Sequence, residues 1–317
     1  MENNNHKNTA LNHDAEIDFK ELFQIIWDSK ILVSSITFIF MVIAILYSLL
    51  QPNIYQSNAL LSPMESQGGL SSALGNYSGI ATIAGINIPS QDSDSNAVKS
   101  IKKLNSLSFF SENILPNIFL PDLMAMQSWD SVSNVNSYDE DIYDASKQTW
   151  VRDYQYPQNQ IPSAQEAFKI FMKEHLSVDK DIDTGFVTIS IKHQSPFVAK
   201  NWTEVIVDQL NDFYRIKDKA EAEAAVAFLN MQISQTSYSE IKQVIAELIQ
   251  QKTQQLALIE VSKFYVFEYL DPPAVMEQKS EPNRMLICLF GIFLGGFIGI
   301  LTVILRHYAF KNDSYKT

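Results

Sequence analysis

Among the side chains that could do chemistry in this sequence, two clusters that contain carboxylates come first. Residues 92–96 (DSDSN) have Asp, Asp and Asn at every second position, as at the start of a calcium-binding loop. The pattern then fails, because Ala97 replaces the glycine needed for the turn and Lys103 replaces the glutamate that would bind the cation with both oxygens. The second cluster, residues 139–141 (DED) with Asp144, is interpreted as a solvated acidic loop. Neither cluster predicts a metal site.

Sequence patterns of the common catalytic and cofactor sites are absent. The chain has no GxxxxGK[ST] loop for a nucleotide phosphate and no HExxH pair for zinc, and its GNYSG segment at residues 75–79 does not match a GxSxG elbow. The five histidines are scattered along the sequence: His6, His13, His175, His193 and His307. We therefore predict no catalytic residue, no cofactor and no metal, and we expect that the protein is not an enzyme.

The elements that organise the chain are two apolar segments near its ends. Residues 285–305 number 21 and residues 31–50 number 20, and neither segment contains a charge. A helix of about 20 apolar residues spans the hydrocarbon core of a bilayer, so we predict two transmembrane helices. Residues 31–50 do not fit a cleaved signal peptide, because they begin late, follow an acidic flank and end without a small-residue cleavage pattern.

Three glycines in the second apolar segment are spaced to lie on one stripe of a helix. They are Gly291, Gly295 and Gly299, each four residues from the next. Small residues at this spacing let two helix backbones approach closely in lipid. We therefore predict that this stripe packs against another membrane helix, although glycine is also simply common in membrane helices.

The distribution of charge predicts orientation and excludes one class of partner. Lys20 and Lys30 precede the first apolar segment and Arg306 follows the second, so both termini (residues 1–30 and 306–317) are predicted to be cytoplasmic; Lys279 and Arg284, just before the second segment, reduce the contrast. Residues 51–284 are then exported, most naturally into the bacterial periplasm across an inner membrane. They carry 18 Lys and Arg against 29 Asp and Glu, and so acidic a surface repels nucleic acid. The single cysteine, Cys288, lies in the second apolar segment and excludes a disulfide framework.

The exported region alternates between strand and helix patterns. We predict strands at residues 54–61, 185–192 and 264–270, and helices at residues 17–29, 98–115 and 164–175. Ser163 and Glu166 form the capping-box pattern that opens the last of these helices. Residues 67–95 and 117–160 are predicted to be loops, the second one irregular and surface-lying. The strands next to the two membrane helices are expected to pair in one mixed sheet.

Two long helical stripes follow Ser195-Pro196, a favourable helix start. We predict a helix at residues 196–233, a turn in the polar break at residues 234–239, and a second helix at residues 239–260; one continuous helix is the alternative. The first helix would be about 57 Å long, which exceeds the diameter of a small domain, so part of it must project.

Two further groups of residues are candidates for contacts. Trp202, Leu210 and Phe213 lie on the long apolar stripe, where they fit either the core or contacts within a hairpin or between subunits. Pro272 and Pro273, with Pro282 just before the second membrane helix, predict a stiff, extended, membrane-proximal segment.

This layout resembles the Wzz-type chain-length determinants, also called polysaccharide co-polymerases. The resemblance covers almost the whole chain. It rests on IDFKELFQIIWDSK before the first membrane segment, IYQSNALLSP after it, SGIATIAGINIP, ISIKHQSPFVAKNW entering the long helix, FEYLDPP, and the glycine-patterned second segment. The chain departs from the family at residues 275–280, which lack proline, and residues 117–160 match it least well.

The resemblance implies an α+β membrane protein, in which two transmembrane helices flank a periplasmic α/β domain that bears a long projecting helical hairpin. Such proteins form homo-oligomeric rings in the inner membrane and have no catalytic activity of their own. They set the O-antigen chain length in lipopolysaccharide biosynthesis. They do so together with a Wzy-type polymerase, which extends the polysaccharide on its undecaprenyl carrier.

Other functions remain open from the residues alone. A related co-polymerase for enterobacterial common antigen, capsule or exopolysaccharide would have the same layout, and any kinase partner would be a separate protein. A two-span sensor of a periplasmic ligand is a different class. It is disfavoured because 30 residues before the first segment and 12 after the second cannot hold a signalling domain. An exported enzyme is disfavoured by the lack of a catalytic constellation.

Overall fold

The computed structural model describes residues 19–64, 96–262 and 264–313. The chain divides into two compact units, one formed by its two ends (Met1–Pro52 with Pro282–Thr317) and the other by Asn53–Glu281. The predicted loop at residues 67–95, the calcium-like residues 92–95, the GNYSG segment, His6 and His13 lie outside the described residues.

The described part of the chain contains both helices and strands. The helices are α1 (Phe19–Asp28), α2 (Lys30–Leu50), α3 (Asn96–Leu104), α4 (Leu107–Phe109), α5 (Leu120–Met124), α6 (Ala164–Ile170), α7 (Pro196–Gln235), α8 (Ser239–Val261) and α9 (Arg284–Asp313). The strands are β1 (Tyr55–Pro63), β2 (Met126–Asp130), β3 (Val135–Tyr138), β4 (Tyr143–Asp144), β5 (Thr149–Trp150), β6 (Leu176–Lys180), β7 (Val187–His193) and β8 (Phe267–Asp271). Wider π turns follow α4 at Phe110–Ile114 and α6 at Phe171–His175, and a 3-10 turn lies at Leu115–Asn117.

The terminal unit contains two helices that are long and apolar enough to cross a membrane. They are Lys30–Leu50, with 21 residues, and Arg284–His307, with 24 residues. The first helix ends where Gln51 takes an extended conformation (ψ 133°), as expected for a residue that precedes a proline. The two helices pack along each other within the unit.

A four-stranded sheet in the order β6-β7-β1-β8 forms the base of the Asn53–Glu281 unit. β1 lies between β7 and β8 and runs antiparallel to both, and β6 is antiparallel to β7. The predicted pairing of β1 with β8 is therefore correct, but the expected mixed sheet is wrong because every neighbouring pair is antiparallel. Strand β6 was not predicted, since its short, largely exposed sequence LSVDK lacks a strong apolar alternation.

The core lies between this sheet and the first half of α7. Val187, Ile189 and Ile191 of β7 are fully buried, as their alternation predicts. They belong to one apolar cluster with Trp202 and Ile206 of α7. Further apolar side chains from the segments between β1 and β6 complete the cluster: Phe109, Phe110, Ile114 and Phe171.

Two predictions for the segment between β1 and β6 are wrong. The helix expected at residues 98–115 ends at Leu104, and a new one starts after Ser106, whose hydroxyl accepts a hydrogen bond from the Phe109 amide (3.3 Å). A serine that caps a new helix in this way competes with continuation of the old one. Residues 117–160, expected to be irregular, contain α5 and the hairpins β2–β3 and β4–β5. The capping box of Ser163 and Glu166 at α6 is confirmed.

The predicted helical hairpin is confirmed, and the alternative of one continuous helix is wrong. α7 has 40 residues and α8 has 23, and they are joined by the short connection 236–238, where Thr236 is extended (ψ 133°). All the buried residues of α7 except Ala222 lie at or before Tyr214. The following part of α7, about 30 Å long, has left the core and pairs with α8.

Candidate functional site

The acidic residues predicted to be a solvated loop lie around an open cleft of about 1060 Å³ between the β2–β3 and β4–β5 hairpins. Their carboxylates are bonded locally. Asp139 accepts from the Asp141 amide (3.0 Å), and Asp144 accepts from the Lys147 ammonium (2.8 Å). The Lys147 hydrogen bond is the main cause of a strongly lowered pKa at Asp144.

Two histidines that looked scattered in the sequence are neighbours in the structure. The rings of His175 and His193 are 5.6 Å apart, and both contact Trp202. The β6–β7 register brings them together, because Leu176 pairs with Ile191. No group of three or more His, Cys, Asp or Glu within the described ranges has the arrangement of a metal site.

The glycine stripe of α9 faces α2 of the same chain. A Cβ atom placed on Gly291 would lie 2.4 Å from the Cβ of Ala44, and one on Gly295 would lie 2.7 Å from the Cβ of Phe40. At Gly299 the added atom would lie 3.2 Å from Val33. The stripe therefore forms a close backbone contact with α2 of the same chain.

Of the three candidate contact residues on α7, two belong to the core of a single chain. Trp202 and Leu210 are almost completely buried, and Phe213 is a partly buried residue packed against the same cluster. Phe213 makes an edge-to-face contact with Phe109 at 5.5 Å between ring centroids. Trp202 and Leu210 therefore lie in the core of the chain, where their side chains are not exposed on its surface.

The proline segment after β8 runs beside the start of β1. The Ser57 hydroxyl donates to the Ala274 carbonyl oxygen (3.0 Å), and the Ile54 amide donates to the Glu281 carbonyl oxygen (2.9 Å). Pro272 and Pro273 follow β8 directly, whereas Pro282 begins the return to the terminal unit.

The projecting hairpin carries the most distinctive surface of the Asn53–Glu281 unit. Lys219 of α7 and Glu260 of α8 form an ion pair near its base. Large apolar side chains remain exposed along both helices: Ile216, Phe228, Met231, Tyr238, Ile241, Leu258 and Val261, each about half exposed or more. Apolar side chains concentrated on one projecting element are typical of a protein–protein contact surface. Sequence periodicity located the stripe but did not show which of its members leave the core.

The fold and this surface define an α+β protein with two apolar helices at its ends and an exposed apolar hairpin. Residues 15–114 match the model of the Wzz family, described as chain length determinant protein. The match confirms the Wzz-type resemblance predicted from the sequence.

Two solved structures are also similar to the chain. A "full-length bacterial polysaccharide co-polymerase" matches over 93% of this chain and 99% of its own, with 14% identity and a TM-score of 0.39. A "fragment of WzzB, polysaccharide co-polymerase from Salmonella Typhimurium" matches over 72% of this chain and 100% of its own, with 11% identity and a TM-score of 0.26. These values are too low to assign a role to any residue. No curated protein matches the chain.

Proposed function

We propose that this protein is a non-enzymatic regulator of O-antigen chain length, acting as a homo-oligomeric scaffold beside a Wzy-type polymerase. The observation that carries the proposal is the Wzz family match at residues 15–114, which covers the first apolar helix and β1. The two membrane-length helices and the helical hairpin agree with it. The growing undecaprenyl-linked polysaccharide would be the molecule whose length is controlled.

The proposed topology has both termini in the cytoplasm of an inner-membrane protein. Transmembrane helices at residues 31–50 and 285–305 would enclose a periplasmic domain at residues 51–284, with a short cytoplasmic segment at residues 1–30 and a tail at residues 306–317. Lysines before the first helix and Arg306 after the second support this orientation.

The hairpin is the proposed contact between copies of the chain. Phe228 and Met231 are 54% and 57% exposed on α7, and Tyr238 and Ile241 are 71% and 49% exposed around the turn into α8. Because these side chains stand beyond the core, a neighbouring copy can cover them without disturbing the fold of either chain. Burial of apolar area, at about 25 cal/mol per Å², would then stabilise the oligomer.

The deciding experiment is a lipopolysaccharide gel of the host with the gene deleted and then restored. We expect deletion to turn a clustered O-antigen ladder into a smoothly decaying one and restoration to recover the cluster. A double variant, Phe228→Ser with Met231→Ser, should fail to restore it. Tyr156→Ser is the matched control, since Tyr156 is 97% exposed but lies outside the hairpin.

An unchanged ladder after deletion would refute control of O-antigen. Capsule, exopolysaccharide and enterobacterial common antigen would then be measured in the same strains, because a co-polymerase for any of them would have the same architecture. A changed length distribution in one of these would place the protein with that polysaccharide instead.

A further inference from the structure

One buried histidine joins two separate segments of the Asn53–Glu281 unit. His193 ends β7 and is 2% exposed. The Ser195 amide donates to its Nδ1 at 3.0 Å, and its Nε2 lies 3.1 Å from the carbonyl oxygen of Asp122. An amide only donates and a carbonyl only accepts, so Nδ1 is the acceptor and Nε2–H is the donor. The two bonds therefore require the neutral ring in one tautomer.

Each hydrogen-bond partner of His193 is connected to a larger part of the structure. Ser195 directly precedes α7, the 40-residue helix that continues into the hairpin. Asp122 lies in α5, and its carboxylate accepts hydrogen bonds from Tyr138 (2.7 Å) and Asn136 (3.0 Å) of β3. A single imidazole thus holds the α5–β3 segment against the start of the long helix.

We propose that His193 is an acid-sensitive latch between the start of α7 and the segment that carries Asp122. Proton uptake on Nδ1 converts the only acceptor of the ring into a second donor, so the Ser195 amide loses its partner. The resulting imidazolium would be buried at the N-terminal end of α7, where the helix dipole also disfavours a cation. Release of both segments lets the ring reach water. The latch goes beyond the proposed function and does not depend on it.

The groups that face His193 do not outweigh the free-energy cost of charging its buried ring. His175, in the turn after α6, lies 5.6 Å away between ring centroids, and Trp202 of α7 covers the ring at 5.0 Å. Burial lowers the pKa of His193 to about 4 and outweighs the hydrogen bond to the Asp122 carbonyl, which raises it; His175 lowers it further, and burial also lowers the pKa of His175. Glu174 and Asp122 line an adjoining cavity of about 220 Å³. His175 and His193 also line this cavity.

Asp122 opposes the effect. Burial raises the pKa of its carboxyl group, so this group takes up a proton more readily in the folded protein than in the unfolded chain. Its contribution to stability therefore grows as the pH falls, whereas that of His193 shrinks. The His193→Asn variant keeps Asp122, so comparison with the wild type separates the histidine contribution from the opposing contribution of the carboxyl group.

Hydrogen–deuterium exchange on the full-length protein in detergent micelles tests the latch. Peptides that cover Ser195 and Asp122 are compared at pH 7.5 and pH 5.5, after correction for intrinsic exchange. The pKa of the His193 ring is near 6.5 when the ring is released and about 4 when it is held. The opening equilibrium should therefore rise about tenfold when the pH falls from 7.5 to 5.5. His193→Asn keeps an acceptor for the Ser195 amide but cannot titrate at this position, so the variant should lose the tenfold rise in opening. His175→Asn should retain the response.

The proposal is overturned if wild-type opening is independent of pH, or if His193→Asn shows the same tenfold change. It is also overturned if His175→Asn abolishes the response, because the titrating group would then be the neighbouring ring. If His193→Asn does not fold, the wild-type profile and the His175→Asn profile still decide between these outcomes.

Discussion

A buried amide in α7 holds the chain where it returns from the hairpin to the sheet. Asn211 is 5% exposed, and its side-chain oxygen accepts three successive backbone amides, from Tyr265 (3.2 Å), Val266 (2.7 Å) and Phe267 (2.9 Å). Its side-chain nitrogen donates to the Phe267 carbonyl oxygen (3.1 Å). One side chain therefore bonds three backbone amides and one carbonyl oxygen at residues 265–267, where the chain enters β8.

Replacing Asn211 by leucine keeps the approximate size of the side chain but removes all four hydrogen bonds. A buried donor left without a partner costs about 1–3 kcal/mol. Because the Tyr265 amide is only part-buried and can reach water, we expect a total loss of about 3–6 kcal/mol in the free energy of unfolding. That is a large share of the roughly 5–15 kcal/mol that stabilises a typical domain.

Urea denaturation of the full-length protein in micelles, followed by tryptophan fluorescence, measures this loss. The matched control is Asn201→Leu, which makes the same replacement at an exposed position of the same helix. The control should change stability by less than about 0.5 kcal/mol. A loss below about 1 kcal/mol for Asn211→Leu would refute the assigned role of the amide.

Three further predictions concern the two long apolar helices, the hairpin and the loop before α6. Gly295→Leu should separate α9 from α2 and reduce cross-linking between cysteines placed on the two helices. Gly296→Leu should not, because a Cβ atom added there would lie 3.9 Å from the Thr37 hydroxyl oxygen. Equal cross-linking in the two variants would contradict a role of the glycine stripe in this helix contact. Phe228→Ser with Met231→Ser should lower the mass of the purified oligomer without lowering monomer stability, and an unchanged mass would contradict the hairpin contact. Arg152→Met removes two hydrogen bonds to the Glu166 carboxylate and two to the carbonyl oxygens of Asn159 and Gln160, so it should cost about 2–4 kcal/mol in the free energy of unfolding measured with denaturant; no loss would refute a stabilising role for Arg152.

Local sequence patterns predicted the elements in which one signal dominates. The alternation of Val187, Ile189 and Ile191 matches a buried strand, and the capping box at Ser163 matches a helix start. The polar break after α7 marks the hairpin turn. Each of these features depends on neighbours within a few residues, so the sequence contains the necessary information.

Contacts that depend on register or on distant partners could not be predicted in this way. The approach of His175 to His193 follows from the pairing of β6 with β7, and β6 has no strong strand pattern of its own. Asn211 reads as one more polar residue on a long helix, because its three partners lie more than 50 residues later. The glycine spacing in α9 indicated a close helix contact but could not identify α2 as the partner.

Apolar side chains are exposed both on the α2–α9 pair and on the helical hairpin, and the reason for the exposure differs between the two. The side chains of α2 and α9 that face away from each other need no protein partner if both helices lie in lipid. The hairpin has no such cover, since residues 51–284 are proposed to be exported into water. Ile216, Leu258 and Val261 are 65%, 51% and 85% exposed there. As the glycine stripe is already occupied inside the protomer, the hairpin is the surface through which we expect copies of the chain to assemble.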